Sequence, residues 1–341
     1  MSKEITVLIT GATGHLGVAV ATAILTNAGA FKLRGLIRSK AKIERLIAID
    51  TRLSELRNIQ WAIGDIRDPS ALSEALQDVD VVIHACHSHE YWKGAEYLYD
   101  VNVGGTRALT TALSHTTSVK KVVFIGSYSA HLSQQTDSSM RRIGEYSARE
   151  CSTISKPIAQ RLLMDSAKNH GFALHIVSPG YMIGPYQLDP TYFGALFHAV
   201  QFGPLRWCPP NSINIVDVRD VAMAVTKCLQ MSDAPSRILA TGDNASMQRL
   251  FTEMNHQVGF RVVAKPIPCF LFRLIPNMKQ FGRFGQRYFV QDHIPNSESD
   301  LNNREFDLGS SIRDSLSWAK QQQLFRSRGD FLKWIVKRYL R

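Results

Sequence analysis

Three groups of residues in this sequence have types and spacing suited to chemistry. The first is Thr10-Gly11-Ala12-Thr13-Gly14-His15-Leu16-Gly17. It follows the apolar run Ile5, Val7, Leu8 and Ile9, read as a buried parallel strand, and precedes a helical stretch from Val18 to Leu25. Strand, glycine turn and helix in that order make a phosphate cradle. Gly11 permits the tight turn, Gly14 lets the backbone approach a pyrophosphate, and Gly17 lets the helix pack on the strand. N–H groups at the helix start face the phosphates, so Thr13, His15 and Leu16 join the cofactor-binding candidates.

The second group stands at the next strand ends. Residues 31–38 read as a strand that closes on Arg38, followed by Ser39 and Lys40. No Asp or Glu stands there to bind a ribose 2′-hydroxyl. A guanidinium suits a 2′-phosphate instead, so Arg38 with Lys40 predicts NADP(H). Residues 64–68 close the third strand and set Asp65, beside Ile66, to reach the adenine amino group. The fourth strand, 81–85, ends in His84 and Ala85, and the fifth covers 122–125. The third group is His84-Ala85-Cys86-His87-Ser88-His89-Glu90. His87 and His89 alternate with no third ligand in view, so no metal is expected. They are read as substrate contacts or as polar loop residues.

These pieces continue in order with Asn102-Val103-Gly104-Gly105-Thr106, Gly126-Ser127, Ser155-Lys156, Pro179-Gly180, Gly184-Pro185 and Val216-Asp217-Val218-Arg219-Asp220-Val221-Ala222. Together they resemble an extended short-chain dehydrogenase/reductase of the NAD-dependent epimerase/dehydratase family, in the branch near dihydroflavonol 4-reductase and 3β-hydroxysteroid dehydrogenase. The resemblance implies roles. Ser127 orients a substrate carbonyl, with Ser129 a second candidate. Lys156 holds the nicotinamide ribose and lowers the pKa of a neighbouring tyrosine. Asn102 supports that lysine, and His84, Ala85 and Pro179 lie along the cofactor.

The tyrosine itself is missing. Four residues before Lys156 stands Ser152, and Tyr146 in the same register would pair with Glu150, which has no positive charge to lend. A serine hydroxyl is shorter and far less acidic than a phenol. Ser152 stays among the catalytic candidates. The resemblance sets Tyr128, Tyr181, His87, His89 and Tyr91 around the nicotinamide site as substitutes, with Tyr128 and His87 favoured.

Strands and helices alternate up to about Val177, which predicts an α/β Rossmann fold: a doubly wound parallel sheet with a smaller C-terminal substrate-binding lobe. Residues 1–180 form the NADP-binding core, and 212–243 return to the sheet. Residues 181–211 and 244–330 form the substrate lobe, and 331–341 a basic C-terminal helix. That helix sets Leu332, Ile335, Val336 and Tyr339 on one face and Lys333, Lys337 and Arg341 on another. It either docks on the substrate lobe or rests on a membrane surface.

A chain of 341 residues, 45% hydrophobic, holds a large core. No stretch is long and apolar enough to cross a bilayer and the N-terminus lacks a secretory pattern, which predicts a cytoplasmic protein. Cys86, Cys151, Cys208, Cys228 and Cys269 are scattered and odd in number, against a disulfide framework or a zinc site. The net charge of +11 suits an acidic or carrier-bound substrate or an anionic lipid surface. Nucleic acid is not expected, and the resemblance implies a homodimer. Ser127 and Lys156 favour an NADP-dependent oxidoreductase, or a redox-neutral enzyme on the same scaffold, acting on a small keto or hydroxy metabolite. The missing tyrosine leaves open a non-catalytic NADP-binding protein that serves in assembly or with RNA.

Overall fold

Ile5–Thr10 forms β1, a strand buried on both faces after its first residue, as an apolar run at the centre of a parallel sheet must be. It pairs in parallel with β2, Phe31–Ile37, on one side and with β4, Val81–His84, on the other. β3, Gln60–Ile63, extends the sheet beyond β2; β5, Lys121–Ile125, and β6, Ala173–Pro179, extend it beyond β4. The chain thus runs outward in one direction through β2 and β3, then crosses back to β4. The switch lies between β1 and β4, where doubly wound sheets open a crevice at their carboxyl ends. The structure is a computed structural model and describes residues 4–27, 31–128, 143–230, 237–268, 299–301 and 304–339.

Two units are distinguished: 1–179 with 221–238 and 335–341, and 180–220 with 239–334. In the first, Leu8, Leu72, Val82, Leu109, Val122 and Leu163 are fully buried in one cluster. Each contributes on the order of 1.5–3 kcal/mol by leaving water. The helices covering the sheet include α1, His15–Asn27; α2, Ala41–Ile49; α3, Pro69–Ala75; α4, Ala95–Tyr99; α5, Gly105–Ser114; and α6, Ala148–His170. A turn of π-helix, Asp100–Gly104, joins α4 to α5. α6 starts where it does because Ser147 and Glu150 close a reciprocal cap, the Ser147 hydroxyl accepting from Glu150 N–H at 3.2 Å and Glu150 accepting from Ser147 N–H at 2.9 Å. It ends at Gly171, whose φ of +75° suits a residue without Cβ.

The second unit has its own core, with Ile213, Leu250, Phe251, Met254 and Ile312. Its strands are β7, Tyr181–Ile183; β8, Trp207–Cys208; β9, Ser212–Asp217; β11, Asp243–Ser246; and β12, Lys265–Pro266. Its helices include α7, Tyr192–Ala199; α9, Met247–Gln257; and α10, Leu308–Gln322. The segment expected to return to the large sheet divides. Arg237–Ala240, β10, joins that sheet beside β6. Ser212–Asp217 instead pairs with β7 and β11, and so stands at the centre of a separate three-stranded sheet. α8, Val218–Gln230, and α11, Arg328–Tyr339, complete the α-helices among the described residues. On α11, Leu332 and Val336 are 49% and 47% exposed, and Lys333 and Lys337 are exposed beside them. Ser129, Cys269, Leu340 and Arg341, and residues 269–298 of the expected substrate lobe, lie outside the described residues.

Candidate active site

Residues singled out by sequence gather at the carboxyl ends of the parallel strands. Gly11 follows β1, Arg38 follows β2, Asp65 stands beyond β3, Ala85 and His87 follow β4, Ser127 follows β5, and Pro179 ends β6. Gly11 has φ +73°, and a Cβ there would lie 2.8 Å from the Cys86 Cα, so the turn after β1 and the chain after β4 touch backbone to backbone. A Cβ on Gly17 would run into the Gly11 carbonyl. Gly14 N–H donates to Gly11 O at 2.9 Å and itself stays exposed. The turn therefore presents bare backbone at Gly11 and Gly14 as it leads into α1, whose first N–H groups lack intrahelical partners. This fits a dinucleotide pyrophosphate. Thr13 and His15 are half-buried on its rim, and Leu16 is buried in the core.

His84 fixes the cradle from below. Its Nδ1 lies 2.7 Å from Thr10 Oγ1 and its Nε2 lies 3.0 Å from Thr106 Oγ1. Thr106 donates to Asn102 O at 2.7 Å, so its oxygen accepts from His84 Nε2–H, and Nδ1 accepts from Thr10. Burial, aided by the Lys156 charge, pushes the ring down to about 3, so it is neutral. Its side chain braces β1, β4 and α5.

Asn102, in the π-helical turn, is 2% exposed and grips the loop after β4. It accepts from Ser88 N–H at 2.6 Å and donates to Ser88 O at 3.2 Å. Its amide nitrogen lies 3.3 Å from His87 Nε2, which lies 3.3 Å from Ser152 Oγ on α6. Tyr91 stands further along the same loop, its ring 6.1 Å from that of His89. One turn along α6, Lys156 Nζ donates to the Ile125 carbonyl at 2.7 Å. Burial pushes this ammonium down to about 8. Ser127 is half-buried two residues past Ile125, and Tyr128 is 6% exposed. Tyr181 belongs to the second unit, where its ring stands 5.3 Å from Phe193. The His87 and His89 rings meet edge to face at 4.7 Å. Among the described residues no group of three or more His, Cys, Asp or Glu could hold a metal.

On the adenosine side, Asp65 is engaged with Arg67 at 2.8 Å, and Arg67 with Asp100 at 2.7 Å. Ile66 is buried against Gly105, and Lys40 is the exposed residue before α2. Arg38 donates to Tyr97 OH at 3.4 Å, Tyr97 donates to Glu90 at 3.1 Å, and Lys93 pairs with Glu90 at 3.0 Å. The Glu90 and Asp65 carboxylates both act on Arg38. Sequence reading missed Thr10, Thr106, Ser88, Glu90 and Tyr97. All but Tyr97 stand inside motifs quoted above, but their types alone do not show which neighbour each one bonds.

Residues 7–240 match the model of the NAD dependent epimerase/dehydratase family. Sterol demethylase protein B of Methylococcus capsulatus is 25% identical over 278 residues, 80% of this chain and 81% of that one. UDP-glucuronic acid 4-epimerase from Bacillus cereus, solved with UDP-glucuronic acid and NAD, superposes with a TM-score of 0.66 at 16% identity over 93% of this chain and 99% of the other. Yeast methylglyoxal/isovaleraldehyde reductase Gre2, solved with NADPH, does so at 0.69 and 19% identity over 92% and 98%. At such identities these likenesses show the fold.

A preference for NADP(H), expected from Arg38 and Lys40, is overturned. The matching family is described by NAD, and the sugar-nucleotide epimerases and dehydratase of this fold are solved with NAD. The physical reason lies in the network around Arg38: its guanidinium is engaged by Tyr97, and two carboxylates nearby would repel a 2′-phosphate. The NADP-dependent oxidoreductase and the NADP-binding alternative fall with it.

Proposed function

Since the chain belongs to the NAD-dependent epimerase/dehydratase family, we propose that it is an NAD-dependent enzyme acting at a carbon–oxygen centre of a small hydroxy or keto compound. Within the family we read it as lying near dihydroflavonol 4-reductase and 3β-hydroxysteroid dehydrogenase, with Ser152 at the position of the family's tyrosine, a reading supported by the spacing of Ser152 and Lys156 on α6. The observation that carries this reading is Lys156. Its ammonium is half-buried at the end of β5, held by the Ile125 carbonyl, one helical turn from Ser152. A buried charge has a large desolvation cost, and its pKa of about 8 reflects that cost.

The glycine cradle would hold the pyrophosphate of NAD, and Lys156 its nicotinamide ribose. Bound NAD supplies a centre that accepts or gives a hydride. Ser127 and Ser152 orient the substrate oxygen, and the Lys156 charge stabilises negative charge that develops on it. Asn102 and His84 hold the loop and the strand ends in register. Fluorescence titration with NADH and a carbonyl panel tests this. Wild type should bind NADH and oxidise it with at least one carbonyl, and Lys156→Met should weaken both. A wild type that does not bind NADH sinks the proposal.

A further inference from the structure

The most exposed large apolar side chains among the described residues are Trp207 and Val263, each 59% exposed. Both belong to the second unit. β8 and β12 pair in parallel with Trp207 opposite Lys265, so these two side chains share a face. Lys265 N–H donates to Arg206 O, and Ile267 N–H to Cys208 O, both at 2.9 Å. Cys208 and Ala264, the sequence neighbours of Trp207 and Lys265, are fully buried in the core of the second unit. Alternation therefore turns Trp207, Lys265 and Val263 away from that core. Arg206 and Arg261 are exposed beside them. Asn255 on α9, fully buried, holds this platform from beneath. Its side-chain oxygen accepts from Leu205 N–H at 2.7 Å, and its nitrogen donates to Leu205 O and Val262 O, each at 3.0 Å. Thr252 Oγ1 accepts from Ala264 N–H at 3.0 Å. An indole and a valine are thus held out in water by a braced pair of strands.

Charge indicates what such a platform meets. Residues 190–216, which carry β8, contain no Asp or Glu. Residues 254–291, which carry β12, contain none either, and they hold the six cations Arg261, Lys265, Arg273, Lys279, Arg283 and Arg287. The last four lie outside the described residues. An indole favours the boundary between headgroups and acyl chains, where its ring is dry and its N–H is wet. A valine there gains hydrocarbon, which a nucleic-acid backbone does not offer. Lysine and arginine are drawn to an anionic leaflet.

We propose that this face of the second unit seats the protein on an anionic lipid bilayer. Trp207 and Val263 enter the boundary layer, and Arg206, Arg261 and Lys265 meet the anionic headgroups. The proposal goes beyond the enzyme reading and does not rest on it. The helix α11 is less suited to this role. Phe331 is buried and the Trp334 ring stands 5.3 Å from that of Phe325, so its aromatic side docks on protein. Its outward Leu332 and Val336 follow an exposed Asp330 in the first turn.

The test sediments the full chain with vesicles of phosphatidylcholine, alone or mixed with phosphatidylserine. Wild type should bind the mixed vesicles at least about tenfold more tightly, and added salt should weaken that binding. Trp207→Ser with Val263→Ser should lose about tenfold or more. Arg206→Gln with Lys265→Gln should lose about tenfold or more on mixed vesicles alone. Leu332→Ser with Val336→Ser should bind as wild type does. Brominated lipids give a readout that survives a poorly folded double variant: they should quench wild-type tryptophan fluorescence, and Trp207→Phe should abolish the quenching. A wild type indifferent to phosphatidylserine, or a Trp207→Phe protein quenched as strongly as wild type, overturns the proposal. So does a loss confined to the Leu332 and Val336 pair, which assigns the contact to α11. A lipid-free protein that falls to a smaller oligomer on Trp207→Ser overturns it in favour of a second copy of this chain. Loss of single-stranded RNA binding with vesicle binding intact overturns it in favour of nucleic acid.

Discussion

His84 Nδ1 and Thr10 Oγ1 stand 2.7 Å apart, and this bond ties the ends of β1 and β4 together where the sheet opens for its ligand. The histidine is 2% exposed and titrates at about 3 in the folded chain, against an ordinary value near 6.5. The sign follows from where the proton binds. Below about 6.5 the unfolded chain takes up a proton that the folded chain refuses. Stability therefore falls as pH drops from about 6.5 towards 3, by at most ~1.4 kcal/mol per unit for this one group. His84→Gln should flatten urea-derived stability between pH 6.5 and 5. At pH 7 it should also cost about 1–3 kcal/mol, since Thr10 and Thr106 lose a partner in a dry place. An unchanged pH slope would show that the proton is taken up elsewhere.

The Arg38–Tyr97–Glu90 network leads to a cofactor prediction. Wild type should bind NAD more tightly than NADP, by about tenfold or ~1.4 kcal/mol. Glu90→Gln removes the carboxylate that acts on Arg38 and should narrow that gap. Calorimetric titration of both cofactors decides it. Equal affinities in wild type contradict the prediction.

Much of the site is legible in the sequence where its signal is local. Gly11, Gly14 and Gly17 announce the cradle because strand, turn and helix follow one another. Ser127 and Lys156 keep their distances from a strand end and a helix start, so their placement follows from short spacings. Arg38 misled for the opposite reason. Its engagement comes from Tyr97, 59 residues away, and a guanidinium read alone looks free for a phosphate. Ser152 likewise looked like a bare loss, because His87 comes to it at 3.3 Å from a loop that no spacing rule connects to α6. Residues 212–217 have the pattern of a buried strand, which shows burial but not which sheet does the burying.

Lys156 should confer a pH limit on cofactor binding. With its pKa at about 8, the ammonium is mostly charged at pH 7 and loses its charge as pH rises through 8. NADH affinity should then weaken between about pH 7 and 9 by about tenfold at most, since the charged fraction of a group with a pKa of about 8 falls by about that factor over this window. Lys156→Met should bind weakly and without that pH dependence. Fluorescence titrations at four pH values suffice. A variant whose profile matches wild type would assign the limit to another group.

Gly11 and Gly171 form a matched pair that separates backbone strain from the ligand site. Both hold positive φ, +73° and +75°. A Cβ on Gly171 meets nothing within 4 Å, whereas one on Gly11 meets the backbone of Cys86 at 2.8 Å. Alanine at either position should cost about 1 kcal/mol for the left-handed conformation, read as a fall in the urea midpoint. Gly11→Ala should cost more than this, because a backbone neighbour cannot swing aside as a side-chain tip can, and β1 must part from β4. Its NADH affinity should fall by more than tenfold, since the moved turn no longer presents its N–H groups to a pyrophosphate. Gly171→Ala, at the far end of α6, should bind NADH as wild type does. If both variants lose affinity alike, general destabilisation is the cause and the turn after β1 is not the phosphate cradle.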